Sequence, residues 1–600
     1  MVLYQMILTT GFILSLILFI TRQYRREISI IHNLVSAIYL SVSITIIASF
    51  LSVYLYGYSL SLEVASANVN YLLTVLILLM VISLIKRLIL FMPEYKHSIK
   101  RKLPFKSKLF IFFFNFIIFL SLIIYTSAIW VGEKFGDVSI EQLLYSIRSL
   151  EGTDTQMVFN YLDTILIPIC FFTLCTSIVT YSLEIFLSKF IKPKRLLYYM
   201  QALSPLLLLI IATTGAVRAF GVEKITNYFA TSTFIEDNYV DSRQVNISFP
   251  EQKRNLIYIF VESLEGTYTS IENGGIEDTN LIEPLTDLTN SGAINFSNTD
   301  LIGGALQLPG MDYTASAMVA QSSGMPLKSV ISGMNNLEDS EHIQNNFLPG
   351  IVSLGDVLQE NGYKNQFIMG SDSRFGGRKS YLTSHGNYEI IDWNFALVSG
   401  MLPKDYAENW GFEDQKLFEF AQAYLNSYDF SVQPLNLNLL TSDTHFPDGY
   451  VYPNQTPVSE DMQYKNVIAY SSTMIAEFIA WCQTQPWYEN TTIVLSGDHL
   501  TMDQKYSKSV PDTSTRTVFN LYINSSIQTD YAKNRLYSNL DTFPTTLASL
   551  GVEIEGNRLG LGTNLFSGEP TLIEQNSLKT VTDELEKRSV FYNNNILTAP

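Results

Sequence analysis

The chain has 600 residues, too many for one domain, and its formal net charge of −17 at pH 7 argues against a nucleic-acid partner. Cys170 and Cys175 lie in an apolar run and Cys482 stands alone in the polar part, so no disulfide can form within that part and the cysteines do not indicate the redox compartment. Leu, Ile, Phe and Val dominate the first third, whereas the remainder resembles an acidic soluble protein. We therefore expect two different parts.

Six apolar runs in the first part are each near the ~20 residues that a helix needs to span a bilayer. They cover roughly residues 3–21, 34–56, 69–92, 109–131, 163–187 and 197–219. The first run differs from a signal peptide because its basic residues follow the apolar stretch, so we interpret it as a retained helix. These runs predict a membrane domain at residues 1–220 with six transmembrane helices.

The charges of the loops predict the orientation of this domain, because basic loops stay cytoplasmic. The loops after the first, third and fifth runs are rich in Lys and Arg, whereas the loops 57–68 and 132–162 are poor in them. A buried helical bundle would not alternate in this way. The pattern places the N-terminus and everything after about residue 220 outside the cytoplasm. Within the second external loop, Ser139–Ser149 has an amphipathic pattern, typical of a helix on the membrane surface or of a short packed loop helix.

The second part alternates apolar strands with helical stretches, which predicts an α/β domain with a mostly parallel sheet and helices on both faces. We expect a linker at 221–250, the domain at 251–570 and a polar tail at 571–600 that is weakly ordered or covers a strand. The predicted strands are Leu256–Val261, Gln366–Met369, Leu435–Leu440 and Thr492–Leu495, and the predicted helices are Ser353–Asn361, Gln415–Tyr424 and Val467–Gln483.

Polar residues follow several of these strands, at the edge where open α/β sheets bind ligands. Glu262 follows the first strand, and Asp498 and His499 follow the last. Two carboxylates and an imidazole suit one divalent cation, such as Mn²⁺, Mg²⁺ or Zn²⁺, and leave a position for a reacting group. Thr441, Asp443 and His445 follow the strand 435–440.

Thr314 is the candidate for the reacting group. It follows a Pro309-Gly310 turn and precedes a helical stretch, so its hydroxyl lies where backbone N–H groups favour negative charge. Bound to a metal, this hydroxyl would become a nucleophile for phosphorus. Each residue also has a structural explanation: Thr314 as an N-cap, Glu262 as a cap or ion-pair partner, and His445 as a turn residue.

These pieces occur together in a known family. The relevant segments are Asn255–Glu265, Pro309–Leu327, Arg374-Phe375, Ser384–Gly386, Trp410–Phe412, Thr441–Gly449, Ser496–Leu500 and Leu559–Gly562. In order and spacing they resemble the membrane-anchored branch of the alkaline phosphatase/sulfatase superfamily, and within it the phosphoglycerol transferases that act on periplasmic glucans. The resemblance covers about residues 250–570. It implies Glu262, Thr314, Asp498 and His499 as the single-metal site, Thr314 as nucleophile, and His445 as the histidine that contacts the phosphate.

The resemblance also suggests substrate-binding residues. Arg378 falls where related lipoteichoic acid synthases keep a phosphate-binding arginine. Those synthases have His, an acidic residue and Trp before it, where this chain has Met369, Ser371 and Gly376. Their mode of recognising a glycerol phosphate chain is therefore not expected here. We expect the substrate-binding set to be Arg374, Arg378, His385, Asp443 and Asp448, with His385 and Asp448 serving the acceptor.

The implied function is transfer of phosphoglycerol from phosphatidylglycerol to periplasmic glucans at the bacterial inner membrane. A metal-activated Thr314, with Mn²⁺ or Mg²⁺ ahead of Zn²⁺, would form a covalent glycerophospho-threonine and release diacylglycerol with His445 as acid. The alternatives are another acceptor, such as a teichoic-acid-like polymer or exopolysaccharide, and a non-catalytic membrane protein that binds lipid or glucan. A phosphoethanolamine transferase is less favoured, since those enzymes usually carry several disulfides. A sulfatase is disfavoured because the formylglycine motif is absent around Thr314.

Overall fold

The fold is known from a computed structural model, which describes residues 105–136, 160–170, 194–328, 347–453 and 455–598, with residues 139, 140, 142 and 173. Contacts divide the chain into two units. One contains residues 1–131 and 154–219, and the other contains residues 132–153 and 220–600.

The described part of the first unit is helical. It includes most of the helices Phe105–Phe135 and Lys194–Phe220, and a π-helical turn at Leu162–Leu166. Ile118, Leu122 and Ile169 pack together. Among the described residues, Ile111–Phe135 is long and apolar enough to cross a membrane, and Pro205–Phe220 with Val222–Phe229 adds a second if they count as one interrupted span.

These observations test only part of the membrane prediction. The run 109–131 is helical throughout, and the run 197–219 lies in a helix. The runs 3–21, 34–56 and 69–92 lie outside the described residues, and the run 163–187 is described only in part. The six-helix arrangement therefore stays a prediction.

The described residues of the second unit form eleven strands, which we number in chain order. They are β1 Ile247–Ser248, β2 Asn255–Val261, β3 Gly304–Ala305, β4 Lys364–Met369, β5 Glu389–Ile391, β6 Leu435–Leu440, β7 Thr491–Gly497, β8 Val518–Ile523, β9 Glu553–Ile554, β10 Arg558–Leu559 and β11 Gly562–Thr563. Its α-helices are Val222–Phe229, Phe234–Asn238, Glu283–Thr286, Thr314–Ser323, Leu354–Glu360, Arg378–Ser384, Trp393–Val398, Asp414–Ser427, Gln463–Gln483, Gln504–Ser507, Thr542–Ser549, Leu572–Asn576 and Leu578–Glu586.

Seven of these strands form the central sheet, in the order β3-β8-β7-β2-β6-β4-β5. The five strands from β7 to β5 run parallel, whereas β8 is antiparallel to β7 and β3 is antiparallel to β8. The sheet is therefore mixed, with the predicted parallel strands at its centre. All residues of β2, β6 and β7 are buried, as expected for strands covered on both faces.

Alternate residues of β2 belong to two separate cores, because successive side chains of a strand point to opposite faces. Leu256, Tyr258 and Phe260 pack with the helices Thr314–Ser323, Leu354–Glu360 and Thr542–Ser549. Ile257, Ile259 and Val261 pack with the helices Asp414–Ser427 and Gln463–Gln483. Helices thus cover both faces, as predicted for the α/β domain.

Two segments differ from the expected domain plan. The segment 221–250, expected as a linker, contains two short helices and β1, which pairs with β9. The segment 571–600, expected as a polar tail, forms two helices and a π-helical turn at Tyr592–Leu597. Several of its apolar residues are buried, including Val581, Leu585, Tyr592 and Ile596.

Candidate metal centre and nucleophile

Three loops meet at the carboxyl edge of the sheet because β2 lies between β6 and β7. Phe260 pairs with Leu440, and Val261 pairs with Gly497, so the three strands end at the same level. Glu262, Thr441 and Asp498 are the next residues of each chain segment. The backbone N–H of Glu262 donates to the Thr441 hydroxyl at 3.0 Å, and the N–H of Ser263 donates to Asp498 Oδ1 at 2.8 Å.

Glu262, Asp498 and His499 form the predicted cluster of metal ligands. One ligand atom from each lies within 4.8 Å of the others, and all three residues are buried. His499 Nε2 is 3.5 Å from Glu262 Oε1 and 3.5 Å from Asp498 Oδ2. Two buried carboxylates this close to each other need a positive charge between them.

Hydrogen bonds hold these side chains so that their free atoms face inward. Asp498 Oδ1 accepts the backbone N–H groups of Ser263 and His499, while Oδ2 has no hydrogen-bond partner among the described residues. His499 Nδ1 donates to the Leu500 carbonyl at 2.9 Å, which leaves the Nε2 lone pair for a metal. The residues therefore fit a divalent cation, held by two oxygens and one nitrogen.

The electrostatics of the cluster agree with this assignment. Burial and the charge of Glu262 raise the pKa of Asp498 to about 7. Burial also opposes ionisation of Glu262, but the charges of His499 and His445 outweigh it and hold the Glu262 pKa below its ordinary value. For His499, burial is outweighed by the two carboxylates, which raise its pKa. Without a cation, the cluster has an unbalanced negative charge.

Thr314 lies where the sequence predicts, as the first residue of the helix Thr314–Ser323. Its hydroxyl donates to Glu262 Oε2 at 3.1 Å and lies 3.5 Å from His499 Nε2. The preceding turn is closed by the Ser316 hydroxyl, which accepts the Tyr313 N–H and donates to the Tyr313 carbonyl. Thr314 is half-exposed although the rest of the helix is mostly buried, so a substrate can reach it.

Gln321 anchors this helix to the sheet and is a residue that sequence reasoning missed. Its side-chain amide donates to the Gly497 carbonyl at 2.7 Å and accepts from the Tyr258 hydroxyl at 2.8 Å. Gln321 is fully buried. The helix is thus tied to both strands that carry metal ligands, which fixes Thr314 over them. A single long polar side chain among the small and apolar residues of this helix was the available signal in the sequence.

His445 lies on the other side of the cluster, in the loop after β6. Its Nδ1 donates to the Phe446 carbonyl at 2.7 Å, so Nε2 is the nitrogen available to a substrate. Its ring lies between the rings of Trp410 and Phe446, with centroids 4.5 and 4.9 Å away. Burial lowers the His445 pKa, partly offset by the charge of Glu262, so the imidazole is neutral at pH 7.

The two predicted substrate-binding arginines have different surroundings. Arg378 is buried near His445 and lowers its pKa. The Arg378 guanidinium donates to the carbonyls of Phe375 and Asp372 and lies 5.3 Å from the centre of the Phe375 ring. Arg374 is more exposed and forms an ion pair with Asp372 at 2.6 Å. Of the two, only Arg378 is associated with the centre by these contacts.

The remaining predicted substrate-binding residues have protein partners. His385 is buried, with Nδ1 3.0 Å from Asp356 and Nε2 2.6 Å from the Phe347 carbonyl. Asp448 forms an exposed ion pair with Lys505. Asp443 is buried and accepts hydrogen bonds from the Asn409 amide, the Tyr452 hydroxyl and the Asp414 N–H. These contacts give His385 and Asp443 a structural role. The sequence could not indicate this role because most of their partners belong to other segments of the chain.

A second set of missed residues supports the loop that follows the metal ligands. Glu265 is fully buried and pairs with Arg516, and its Oε1 accepts the Thr501 N–H at 2.7 Å. Arg516 also donates to the Thr501 carbonyl at 2.8 Å. The Asn539 amide donates to the Asp498 carbonyl at 2.7 Å. These contacts hold residues 498–501 in place.

Comparisons with known proteins show which sequences this chain resembles. Residues 254–552 match the family model described as Sulfatase. Phosphoglycerol transferase I of Citrobacter koseri and of Escherichia coli are each 32% identical over 327 residues, which is 54% of this chain and 40% of the relative. The chain thus matches less than half the length of these curated relatives.

Solved structures with a similar fold were also found. The integral membrane protein lipooligosaccharide phosphoethanolamine transferase A from Neisseria meningitidis is 15% identical, with coverage of 86% of this chain and 94% of that chain and a TM-score of 0.42. The lipoteichoic acid synthase LtaP from Listeria monocytogenes is 16% identical, with coverage of 56% and 80% and a TM-score of 0.42.

Proposed function

We propose that this chain, whose residues 254–552 match the sulfatase family, transfers phosphoglycerol from phosphatidylglycerol to a periplasmic glucan through Thr314. The observation that carries the proposal is the position of the Thr314 hydroxyl, 3.1 Å from Glu262 and 3.5 Å from His499 at the start of a helix. A hydroxyl so placed is suited to attack phosphorus. The similarity to phosphoglycerol transferase I supports phosphoglycerol as the group that is transferred.

In the first half-reaction, the Thr314 oxygen bonds to the phosphorus of phosphatidylglycerol and the bond from phosphorus to the diacylglycerol oxygen breaks. Thr314 releases its proton to water, and the leaving oxygen takes a proton from Nε2 of the imidazolium form of His445, which becomes neutral in this step. The N–H groups at the start of the helix favour the negative charge that develops on the phosphoryl oxygens. Arg378 supplies a further positive charge near His445. The products are diacylglycerol and a glycerophospho-threonine.

In the second half-reaction, a sugar hydroxyl of the acceptor bonds to the same phosphorus and the bond to Thr314 breaks. His445 takes the proton of that hydroxyl, and Thr314 regains a proton. Because the lowered pKa keeps His445 neutral at pH 7, it is ready to act as the base in this step. One histidine thus serves the leaving group first and the acceptor afterwards.

Glu262, Asp498 and His499 would hold one divalent cation, with Mn²⁺ or Mg²⁺ ahead of Zn²⁺. When bound, such an ion lowers the pKa of a coordinated hydroxyl and withdraws charge from a phosphoryl oxygen. The protein's own contribution is to present these three ligands to a single point beside Thr314.

The proposed location is the bacterial inner membrane, with residues after about 220 on the periplasmic side. The alternation of basic loops and the candidate span Ile111–Phe135 support it. A membrane anchor raises the local concentration of lipid head groups at the site. Single cysteines at residues 57–68 and at 188–195 should be labelled from opposite sides of the membrane. Labelling from the same side would contradict the orientation.

The test of the nucleophile is to trap the covalent intermediate. Full-length protein in detergent is mixed with phosphatidylglycerol carrying a labelled glycerol head group, quenched in acid and digested for mass analysis. We expect a glycerophospho adduct on Thr314, and neither adduct nor transfer in Thr314→Ala. The matched control is Thr473→Ala, the same change on the helix Gln463–Gln483. Transfer by Thr314→Ala would refute the assignment.

The acceptor is tested separately. Periplasmic glucans and surface polymers from cells with and without the gene are compared by mass analysis. We expect glycerol phosphate groups on glucans only when the protein is present. Their appearance on a teichoic-acid-like polymer or exopolysaccharide would retain the chemistry and replace the acceptor.

A further inference from the structure

Trp410 lies at the tip of a tight turn that two backbone hydrogen bonds close. Glu408 and Gly411 exchange both backbone hydrogen bonds, with the Glu408 N–H donating at 3.0 Å and the Gly411 N–H donating at 2.8 Å. Only Asn409 and Trp410 lie between them. Gly411 has a φ of 148°, and a Cβ there would lie 2.3 Å from the Gly370 carbonyl oxygen, so the turn fits closely against the end of β4.

Asp443 holds this turn in place through hydrogen bonds. Asn409 adopts a φ of 51°, and its amide donates to Asp443 Oδ1 at 3.1 Å. Asp443 in turn caps the helix Asp414–Ser427 through the Asp414 N–H, while Asp414 Oδ1 accepts the Ser442 N–H at 2.7 Å. Asp443 and Asp414 are both nearly fully buried. The turn is therefore a rigid support for the one large side chain at its tip.

That side chain is half-buried and faces the proposed acid–base histidine. The Trp410 and His445 rings have centroids 4.5 Å apart and are inclined by 58°. Trp410 also contacts Phe375, with ring centroids 6.0 Å apart and planes inclined by 26°. Phe446 and Phe135 continue the row beyond His445, with ring centroids 5.9 Å apart. We call the row of Phe375, Trp410, His445, Phe446 and Phe135 the aromatic strip.

We propose that Trp410 is the platform on which a sugar ring of the acceptor stacks while one of its hydroxyls meets His445. This inference rests on the proposed function and names the residue that selects a carbohydrate for the second half-reaction. A pyranose ring presents C–H groups on one face, and these carry the partial positive charge that the negative face of an indole attracts. Its hydroxyls lie at the ring edge, where one can reach His445 Nε2.

The position of His445 supports this choice of ligand. Any hydroxyl that loses its proton to His445 lies beside the Trp410 ring, because the two rings are in contact. The first half-reaction needs no acceptor, since it ends on Thr314. Contacts with Trp410 should therefore favour attack by a sugar over attack by water, and contribute less to cleavage of the donor.

The experiment measures how the intermediate divides between sugar and water. Full-length protein in detergent is given head-group-labelled phosphatidylglycerol and a linear glucopentaose. Free glycerol phosphate reports hydrolysis, and labelled oligosaccharide reports transfer. We expect Trp410→Ala to lower the ratio of transfer to hydrolysis about tenfold, with donor cleavage within about threefold of the wild type. Trp410→Phe should restore most of the ratio.

The matched control is Trp487→Phe, a half-buried tryptophan that precedes β7 and so lies at the opposite edge of the sheet. It should leave the ratio unchanged. Preserved donor cleavage in Trp410→Ala shows that this variant is folded. An unchanged ratio, or an equal loss of donor cleavage and transfer, would overturn the inference while leaving the proposed function intact.

Calorimetric binding of the glucopentaose to the protein gives a second readout that needs no turnover. We expect binding to the wild type and to Trp410→Phe, and a loss of about tenfold in affinity in Trp410→Ala. If the wild type cleaves no donor, the proposed function fails, and this measurement still decides whether Trp410 binds sugar. Absence of binding to the wild type, or equal binding to Trp410→Ala, would reject the platform.

Discussion

Asp498→Asn is the change that most directly tests the metal centre. It should stabilise the protein in the absence of metal and destabilise it relative to the wild type when metal is bound. The Asp498 side chain is fully buried, and burial together with the charge of Glu262 raises its pKa from 3.8 to about 7. A carboxyl group whose pKa is higher in the folded state opposes folding once the pH exceeds its unfolded value. Without metal, the wild type therefore bears a cost that the neutral amide removes.

The pKa difference gives the size of this cost. It is about 1 kcal/mol at pH 4.5, where the carboxyl is largely protonated in the folded state, and rises to about 4 kcal/mol at pH 8. Asparagine keeps a side-chain oxygen to accept the N–H groups of Ser263 and His499. In chelator, Asp498→Asn should therefore be more stable than the wild type, by an amount that grows with pH.

At pH 4.5 the order should reverse with Mn²⁺ at a hundredfold excess over Kd, because a ligand that binds only the folded state then stabilises the wild type by about 2.7 kcal/mol, more than the cost of about 1 kcal/mol. At pH 8 the reversal needs more than about a thousandfold excess, where the stabilisation exceeds about 4.1 kcal/mol. The asparagine variant lacks one anionic ligand. Thermal unfolding of the full-length protein, followed by tryptophan fluorescence, measures both cases. Four of the five tryptophans (Trp393, Trp410, Trp481 and Trp487) lie in the domain that contains the site. A stability difference that is independent of pH in chelator, or unaffected by Mn²⁺, would refute the reasoning.

Three further predictions concern the chemistry and its support. Thr314→Ser should retain part of the transfer activity because it keeps a hydroxyl at the same helix position, as a radiolabel transfer assay would show. The His445 pKa lies below the ordinary value of 6.5, and the acceptor step should slow as the pH falls through it because protonation removes the base. A pH–rate profile of His445→Gln should lack this acidic limb. Arg516→Leu should lower the free energy of unfolding by about 3–5 kcal/mol because it leaves the Glu265 carboxylate buried and unpaired, whereas the double variant with Glu265→Leu should recover part of the loss in thermal unfolding.

The centre of the fold and the metal ligands were accessible from the sequence for a single physical reason. Strands buried on both faces are continuous apolar runs, and their polar successors must meet at one edge when the strands are parallel. This logic located Glu262, Asp498 and His499. It could not locate Gln321 or Arg516, because their roles depend on hydrogen bonds to segments 176 and 251 residues away in the chain.

The same limit explains the positions that differ from expectation. His385 and Asp443 belong to segments that resemble a known family, and the sequence gives no measure of their burial. His385 contacts Asp356 and Phe347, and Asp443 contacts Tyr452 and Asn409. These partners occupy the hydrogen-bonding atoms of His385 and Asp443 that a substrate would otherwise contact. The C-terminal segment was judged polar by composition, although its sparse apolar residues are buried.

The loop after β6 links the two halves of the proposed reaction. The Thr441 hydroxyl accepts the N–H of Glu262, and the Thr444 hydroxyl donates to the Glu262 carbonyl, so this loop fixes the first metal ligand. Asp443, between them in the sequence, faces away and holds the turn that carries Trp410. His445 directly follows Thr444 in the chain. The five consecutive residues 441–445 therefore position the metal ligand, the base and the support of the sugar platform. A displacement of this loop would change donor cleavage and acceptor choice together. A substitution confined to Trp410 would change acceptor choice with little effect on donor cleavage.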